Sequence, residues 1–292
     1  MSITSFLVRR SFGKNDRKRD AGLSTPETIE RFDDIRYGPD KKWQILDVYR
    51  PCSFKGPLPV IANVHGGGFV YGTKEVYQYY CMELAGHGFA VVNFTYRLAP
   101  EFKFPSALED TAAVFGWVLE NAEKYGFDTK NIFAVGDSAG ATLLSLYCCI
   151  HTNPDYARNY SFKTPCCPKA VLLNCGQYHQ PYRKKKDLTS LLMANLMPHH
   201  GTEEEYRLLN VDEHTTPDFP PAFIMTGEGD FLAAQAPLLY ENLKNLGVEV
   251  QYHYYGNKDH VLGHVFHCNI RLPEAASCNR DECEFLCRKI TH

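Results

Sequence analysis

Residues 131–150 read NIFAVGDSAGATLLSLYCCI, an apolar run and a helix-like run separated by Gly136-Asp137-Ser138-Ala139-Gly140. A serine flanked two residues on either side by glycine has the spacing of a nucleophile elbow. In that element a strand turns so sharply into a helix that strand and helix nearly touch, and the serine Oγ is lifted above the sheet. A capped glycine turn is the alternative. An ordinary hydroxyl is a poor nucleophile, so the elbow reading demands a base, an acid to orient it and a site for negative charge.

His65-Gly66-Gly67-Gly68-Phe69 offers the charge site. Three consecutive glycines are entropically costly, and they make sense where main-chain N–H groups must face a cavity. The N–H groups of Gly67, Gly68 and Ala139 are the candidate oxyanion donors. The loop carries neither the phosphate-binding nor the dinucleotide-binding glycine pattern, and His65 reads as its brace rather than as a base. Asp230, in Gly227-Glu228-Gly229-Asp230, is the candidate acid, with Glu228 as its rival. The base lies among His260, His264 and His267 in NKDHVLGHVFHCN. His264 is favoured, on the opening turn of a last helix, and His260 is the alternative; His253 falls within a strand. His260 and His264 have the spacing of a metal pair, but the glutamate of a zincin motif is missing. No metal and no cofactor is expected.

These groups need a frame. Strands are expected at 43–50, 59–67, 89–97, 131–137, 169–176, 221–230 and 248–256, most of them near-continuous apolar runs of the kind parallel strands covered on both faces require. Helices are expected at 74–86, 106–124, 138–150, 232–246 and near 278–289, with Ser106 and Glu109 arranged as a capping box. This alternation predicts an α/β fold, an open sheet with helices on both faces. Two segments break the rhythm. Residues 1–40 are charged and partly helical, and residues 177–219 contain short amphipathic stretches, LTSLLMANLM and EEEYRLLN, that suggest a helical cap. The expected organisation is an N-terminal cap segment (1–40), a core first part (41–176), a cap insertion (177–219) and a core second part (220–292).

With 292 residues, 44% of them hydrophobic, the chain is long enough for one large core. A net charge of -3 gives no general attraction to nucleic acid or to an anionic membrane, and no apolar run approaches the ~18 residues of a membrane span. At the N-terminus the basic residues follow the apolar patch, the reverse of a secretory signal, which favours a cytoplasmic protein. The eleven cysteines are an odd number without close Cys-x-x-Cys pairing and are expected as free thiols. A homodimer through an exposed edge strand or helix is left open.

Together HGGGF (65–69), YRLAPEFKFP (96–105), GDSAG (136–140), GEGDF (227–231) and GHVF (263–266) resemble the hormone-sensitive-lipase-like group of α/β hydrolases. The resemblance runs over roughly residues 43 to 292. It implies the α/β-hydrolase fold, with a mostly parallel central sheet and a helical cap, and a serine carboxylesterase acting on small or short-acyl esters through an acyl-enzyme. It carries the nucleophile to Ser138, the acid to Asp230 and the base to His264. The oxyanion donors fall on Gly67, Gly68 and Ala139. Two departures stand out: Phe231-Leu232-Ala233-Ala234 follows the acid where the family often has Pro-Leu and Arg-Asp, and the histidine loop is longer than usual, which keeps His260 open. Arg97 and Glu101 read as an ion pair. The alternatives are an amidase or formamidase with the same triad, or a non-catalytic small-molecule binder on this fold.

Overall fold

The computed structural model describes residues 2–182, 184 and 187–291; residues 183, 185 and 186 of the expected insertion and the two terminal residues lie outside it. Its strands are β1 (Ile29–Arg36), β2 (Ile45–Pro51), β3 (Leu58–Val64), β4 (Ala90–Thr95), β5 (Phe127–Asp137), β6 (Val171–Asn174), β7 (Ala222–Gly227) and β8 (Val250–Tyr255). They form one sheet in the order β1-β2-β4-β3-β5-β6-β7-β8. The two pairs involving β2 are antiparallel and the rest are parallel. All seven expected strands are present. The eighth, β1, falls in the segment expected to be charged and partly helical; its sequence IERFDDIR is largely exposed, as an edge strand tolerates.

The helices are α1 (Ile3–Asp20), α2 (Lys74–Gly86), α3 (Ser106–Glu120), α4 (Ala122–Tyr125), α5 (Ala139–Thr152), α6 (Pro154–Ala157), α7 (Leu188–Leu196), α8 (Glu203–Leu208), α9 (Gln235–Asn245) and α10 (Pro273–Cys287). Successive side chains of a strand face opposite ways, and the packing follows. Val60, Ala62 and Val64 join the core beneath α3, α5 and α9. Ile61, Phe133, Val135 and Leu172 join a second core with Tyr80 and Leu84 of α2 and Phe285 of α10. α7 and α8 are the two short helices expected in the insertion. Among the described residues all eleven cysteines are free.

Three local expectations are corrected. Ser106 is the first residue of α3 rather than its cap, since Pro105 holds that position without a side-chain bond. Glu109 instead turns to Arg97, at 2.8 Å, a charged partner stronger than a main-chain N–H. Nor does Arg97 pair with Glu101. It holds the buried Asp110 at 2.9 Å, while Glu101 takes Arg9 of α1 at 2.7 Å. Finally, α10 begins at Pro273, so His264 lies ahead of the last helix and not on its first turn.

The Arg97–Asp110 pair is closed by Gln44, whose Nε2 donates to Asp110 at 2.7 Å. Removing one partner of a buried pair strands the other. Arg97→Met is therefore expected to lower unfolding free energy by about 3 kcal/mol or more, whereas Glu101→Gln, at a partly exposed pair, costs about 1 kcal/mol or less. Urea titrations of both variants check the difference.

Candidate active site

Parallel strands put the loops after β3, β5, β7 and β8 at one edge of the sheet, and each candidate residue sits on one of them. Ser138 follows β5 at φ 53°, ψ -116°, outside the ordinary regions for a residue with a side chain. The turn there is crowded. A Cβ on Gly136 would lie 2.6 Å from the Gly140 oxygen, and one on Gly140 would lie 1.9 Å from the Val64 oxygen of β3. Both glycines are thus required by main-chain contacts, Gly136 across the elbow and Gly140 against the neighbouring strand. Six non-glycine residues have positive φ among the described residues, and four of them, Phe69, Ser138, Cys175 and Val265, surround this site. Strain of that kind persists where the surrounding structure enforces it.

His264 Nε2 lies 2.9 Å from Ser138 Oγ, and its Nδ1 lies 2.6 Å from Asp230 Oδ1. Thr226 donates to the other carboxylate oxygen at 2.7 Å, and the Leu232 amide donates to Oδ1 at 2.8 Å. Burial pulls the Asp230 carboxyl up, but the His264 bond and charge, with these two donors, outweigh it and hold it below its ordinary value. The acid and histidine loops are joined main chain to main chain: Gly229 N donates to Leu262 O at 2.8 Å, with a parallel bridge between Gly229 and Gly263. The rivals are elsewhere. Glu228 accepts from the Tyr254 hydroxyl. His260 lies on an exposed turn closed by Asn257 and pairs with Glu274 at 2.7 Å. His253 stacks on Phe223.

Gly67 and Gly68 have φ of 123° and 59°. Among the described residues the N–H groups of Gly67, Gly68 and Ala139 donate to no acceptor, while Gly67 O receives Val70 and Tyr71. The loop is held by its neighbours: Gly66 N donates to Tyr77 Oη at 3.0 Å, and Tyr96 Oη donates to His65 O at 2.9 Å. His65 is fully buried, stacked on Tyr96 with centroids 4.0 Å apart, and bonded through Nδ1 to Gly66 O. Burial lowers its pKa to about 4, so it stays neutral and braces the loop. Two cavities meet at Ser138. One, of about 270 Å³, lies against Asn15, Asp16, Tyr71 and Tyr77; the other, of about 400 Å³, lies against Thr142, Leu188, Leu192 and Met193. Phe12, Phe231 and His264 border both. Of the apolar residues of α7 and its C-terminal end, Leu188, Leu192 and Met193 reach a cavity, whereas Leu196 and Met197 are packed in the core.

Next to the serine lies a buried polar cluster that no motif or spacing announced. His267 Nε2 meets Asp137 Oδ1 at 2.9 Å, and Cys268 Sγ donates to Oδ2 at 3.6 Å. Glu282 of α10 accepts from Tyr80 and from Asn174 Nδ2, each at 2.7 Å. Asn174 also anchors the elbow, its carbonyl accepting from Ser138 N at 2.8 Å. Burial lowers the His267 pKa, but the Asp137 and Glu282 carboxylates raise it and prevail; its Nε2 is engaged by Asp137. Two triplets, Asp137/His267/Cys268 and Cys175/Asp230/His264, are compact enough to hold a metal ion. Their donors already engage one another: His267 with Asp137, and His264 with Asp230. Tyr77 and Thr226 were likewise invisible beforehand, since nothing in their spacing marks them off from core residues of a helix and a strand.

Residues 61–264 match the family described as alpha/beta hydrolase fold. The chain is 27% identical to versiconal hemiacetal acetate esterase of Dothistroma septosporum, over 74% of this chain and 70% of that protein. It is 38% identical to ethyl acetate hydrolase of Pseudomonas putida over 34% of this chain and 32% of that one. The crystal structure of inhibited esterase B from Lactobacillus rhamnosis superposes with a TM-score of 0.88 at 24% identity, covering 99% of this chain and 97% of that chain.

Burial pushes the Glu282 carboxyl up to about 7. The folded protein then holds this proton to higher pH than the unfolded chain does, so stability is full below pH ~4.5 and falls as pH rises through ~7, by up to about 3 kcal/mol. Glu282→Gln is expected to flatten that part of the profile, as read from denaturant midpoints of both proteins between pH 4.5 and 7.5.

Proposed function

The chain belongs to the α/β-hydrolase fold family, in its hormone-sensitive-lipase-like group, and from that premise we propose that it hydrolyses small, short-acyl carboxylic esters through an acyl-enzyme on Ser138. The observation that carries this reading is the unbroken line Ser138 Oγ, His264 Nε2, His264 Nδ1, Asp230 Oδ1, with separations of 2.9 and 2.6 Å at its two hydrogen bonds. Asp230 keeps the Nδ1 proton in place, so the Nε2 lone pair faces the serine. As Oγ attacks the ester carbonyl, Nε2 takes its proton, and the carbonyl oxygen becomes an oxyanion held by the N–H groups of Gly67, Gly68 and Ala139. The imidazolium then protonates the departing alcohol. Water, deprotonated by the same Nε2, attacks the acyl-enzyme and frees the acid.

The state of the three amides supports this assignment. Donors without a protein acceptor, fixed before substrate arrives, need no reorganisation when charge develops, and each can be worth about 3 kcal/mol in the transition state. The two cavities meeting at the serine suit an ester, which must place an acyl group on one side of the reacting carbon and an alcohol on the other. Their volumes of about 270 and 400 Å³ are at the small end for ligand sites, which favours short acyl chains. The relatives named as an acetate esterase and an ethyl acetate hydrolase point the same way.

With p-nitrophenyl butyrate as substrate, Ser138→Ala and His264→Gln are each expected to reduce kcat by at least ~10³-fold, whereas His260→Gln stays within about twofold of the parent. Retained activity in Ser138→Ala, or loss confined to the His260 variant, overturns the assignment. kcat/KM is expected to fall as the acyl chain lengthens from butyrate to laurate; a rise overturns the short-acyl reading alone.

A further inference from the structure

The first helix carries a surface that ester hydrolysis does not use. Residues 9–19 hold six of the chain's 31 lysines and arginines, in a protein whose net charge is -3. Two of the six turn inward: Arg9 to Glu101 and the Val70 carbonyl, and Arg19 to Asp16, Asp20 and the Val76 carbonyl. The other four, Arg10, Lys14, Arg17 and Lys18, are exposed and form no ion pair among the described residues. They recur at steps of three and four, so they share one face of α1. The same face continues toward the N-terminus as Ile3, Phe6 and Leu7, with Ile3 82% and Leu7 58% exposed. The acidic residues of the helix, Asp16 and Asp20, are held by Arg19 and Tyr71 instead.

α1 packs beside α7, whose Leu188 and Leu191 are exposed, and Phe231 is 73% exposed. Phe12, Leu188 and Phe231 border the same cavity at Ser138. Exposed apolar side chains thus extend from the outer face of α1 to the rim of the site.

We propose that the outward face of α1 docks on an anionic lipid surface, with Ile3, Phe6 and Leu7 inserting among the acyl chains and Arg10, Lys14, Arg17 and Lys18 meeting the headgroups. Charge complementarity selects this occupant. Unpaired cations concentrated on an otherwise acidic protein fit a negative surface, and the apolar end of the same stripe has no role against nucleic acid or a small anion. An interfacial helix needs both parts, because neither a few apolar side chains nor a few cations alone hold a protein at a bilayer. Docking there would bring the cavity rim to the interface, where sparingly soluble esters collect. The surface is separate from the triad, so binding and hydrolysis are measured independently.

The test is co-sedimentation of the whole chain with vesicles of phosphatidylcholine alone and of phosphatidylcholine mixed with phosphatidylglycerol, at low and high salt. Binding to the mixed vesicles that weakens with salt is expected, with little binding to phosphatidylcholine alone. Arg10→Glu/Lys14→Glu/Arg17→Glu should lower the partition coefficient at least ~100-fold, given that each basic residue near the surface contributes about fivefold. Phe6→Ser/Leu7→Ser should also lower it. Both variants should hydrolyse soluble p-nitrophenyl butyrate at the parent rate, which shows that they fold. No binding to mixed vesicles, binding indifferent to lipid charge, or full binding by the triple variant overturns the proposal. A dimer in light scattering that Phe6→Ser/Leu7→Ser dissolves, without vesicle binding by the parent, assigns the surface to self-association and overturns it too.

Discussion

The approach of α5 to the sheet leaves no room for a side chain at residue 140, where a Cβ would come within 1.9 Å of the Val64 oxygen. That contact forces the chain to turn between β5 and α5 within one residue, and Ser138 takes the positive φ that the turn requires. Because β3 lies beside β5 in the sheet, the glycine loop that follows β3 arrives next to the serine. The start of α5 adds the Ala139 amide, one of the donors that every helix leaves unpaired in its first turn. One steric constraint thus positions the hydroxyl and brings three main-chain donors around it.

The remaining polar groups are arranged around this turn in two layers. On the solvent side, His264 and Asp230 come from separate loops fastened together by the Gly229–Leu262 hydrogen bond. On the core side, Asp137, His267, Asn174, Tyr80 and Glu282 form a buried network on which the turn rests. His264 and His267 are three residues apart and have opposite surroundings. The first is partly exposed with Nε2 at the serine; the second is fully buried with Nε2 at Asp137. Burial and partner, rather than residue type, set the two histidines apart.

Much of this was legible in the residues because short-range demands leave marks. Glycines at 136 and 140 record a close approach, and three glycines at 66–68 record a loop that shows its main chain to a cavity. Continuous apolar runs record strands covered on both faces. What stayed hidden was set by contacts distant in sequence. β1 is an edge strand with charged residues, so it carries no hydrophobic signature. Arg97 lies four residues from Glu101, yet its partners are Glu109 and Asp110, because the start of α3 folds back on it. The turn closing at His260 and its pairing with Glu274 likewise left no mark in the sequence. His267 reads as a rival base and Glu282 carries no mark at all until the sheet places both behind the elbow.

The central claim is that Ser138 Oγ attacks a carbonyl whose oxygen then points at the amides of Gly67, Gly68 and Ala139. The most direct measurement is a crystal structure of the protein after reaction with a short-chain alkyl phosphonate ester, whose tetrahedral phosphorus mimics the intermediate. The account predicts phosphorus bonded to Ser138 Oγ, its non-ester oxygen within ~3 Å of those three amides, and His264 beside the leaving-group position. Phosphorus on another residue, or bound to Ser138 with that oxygen turned away from the glycine loop, would contradict it.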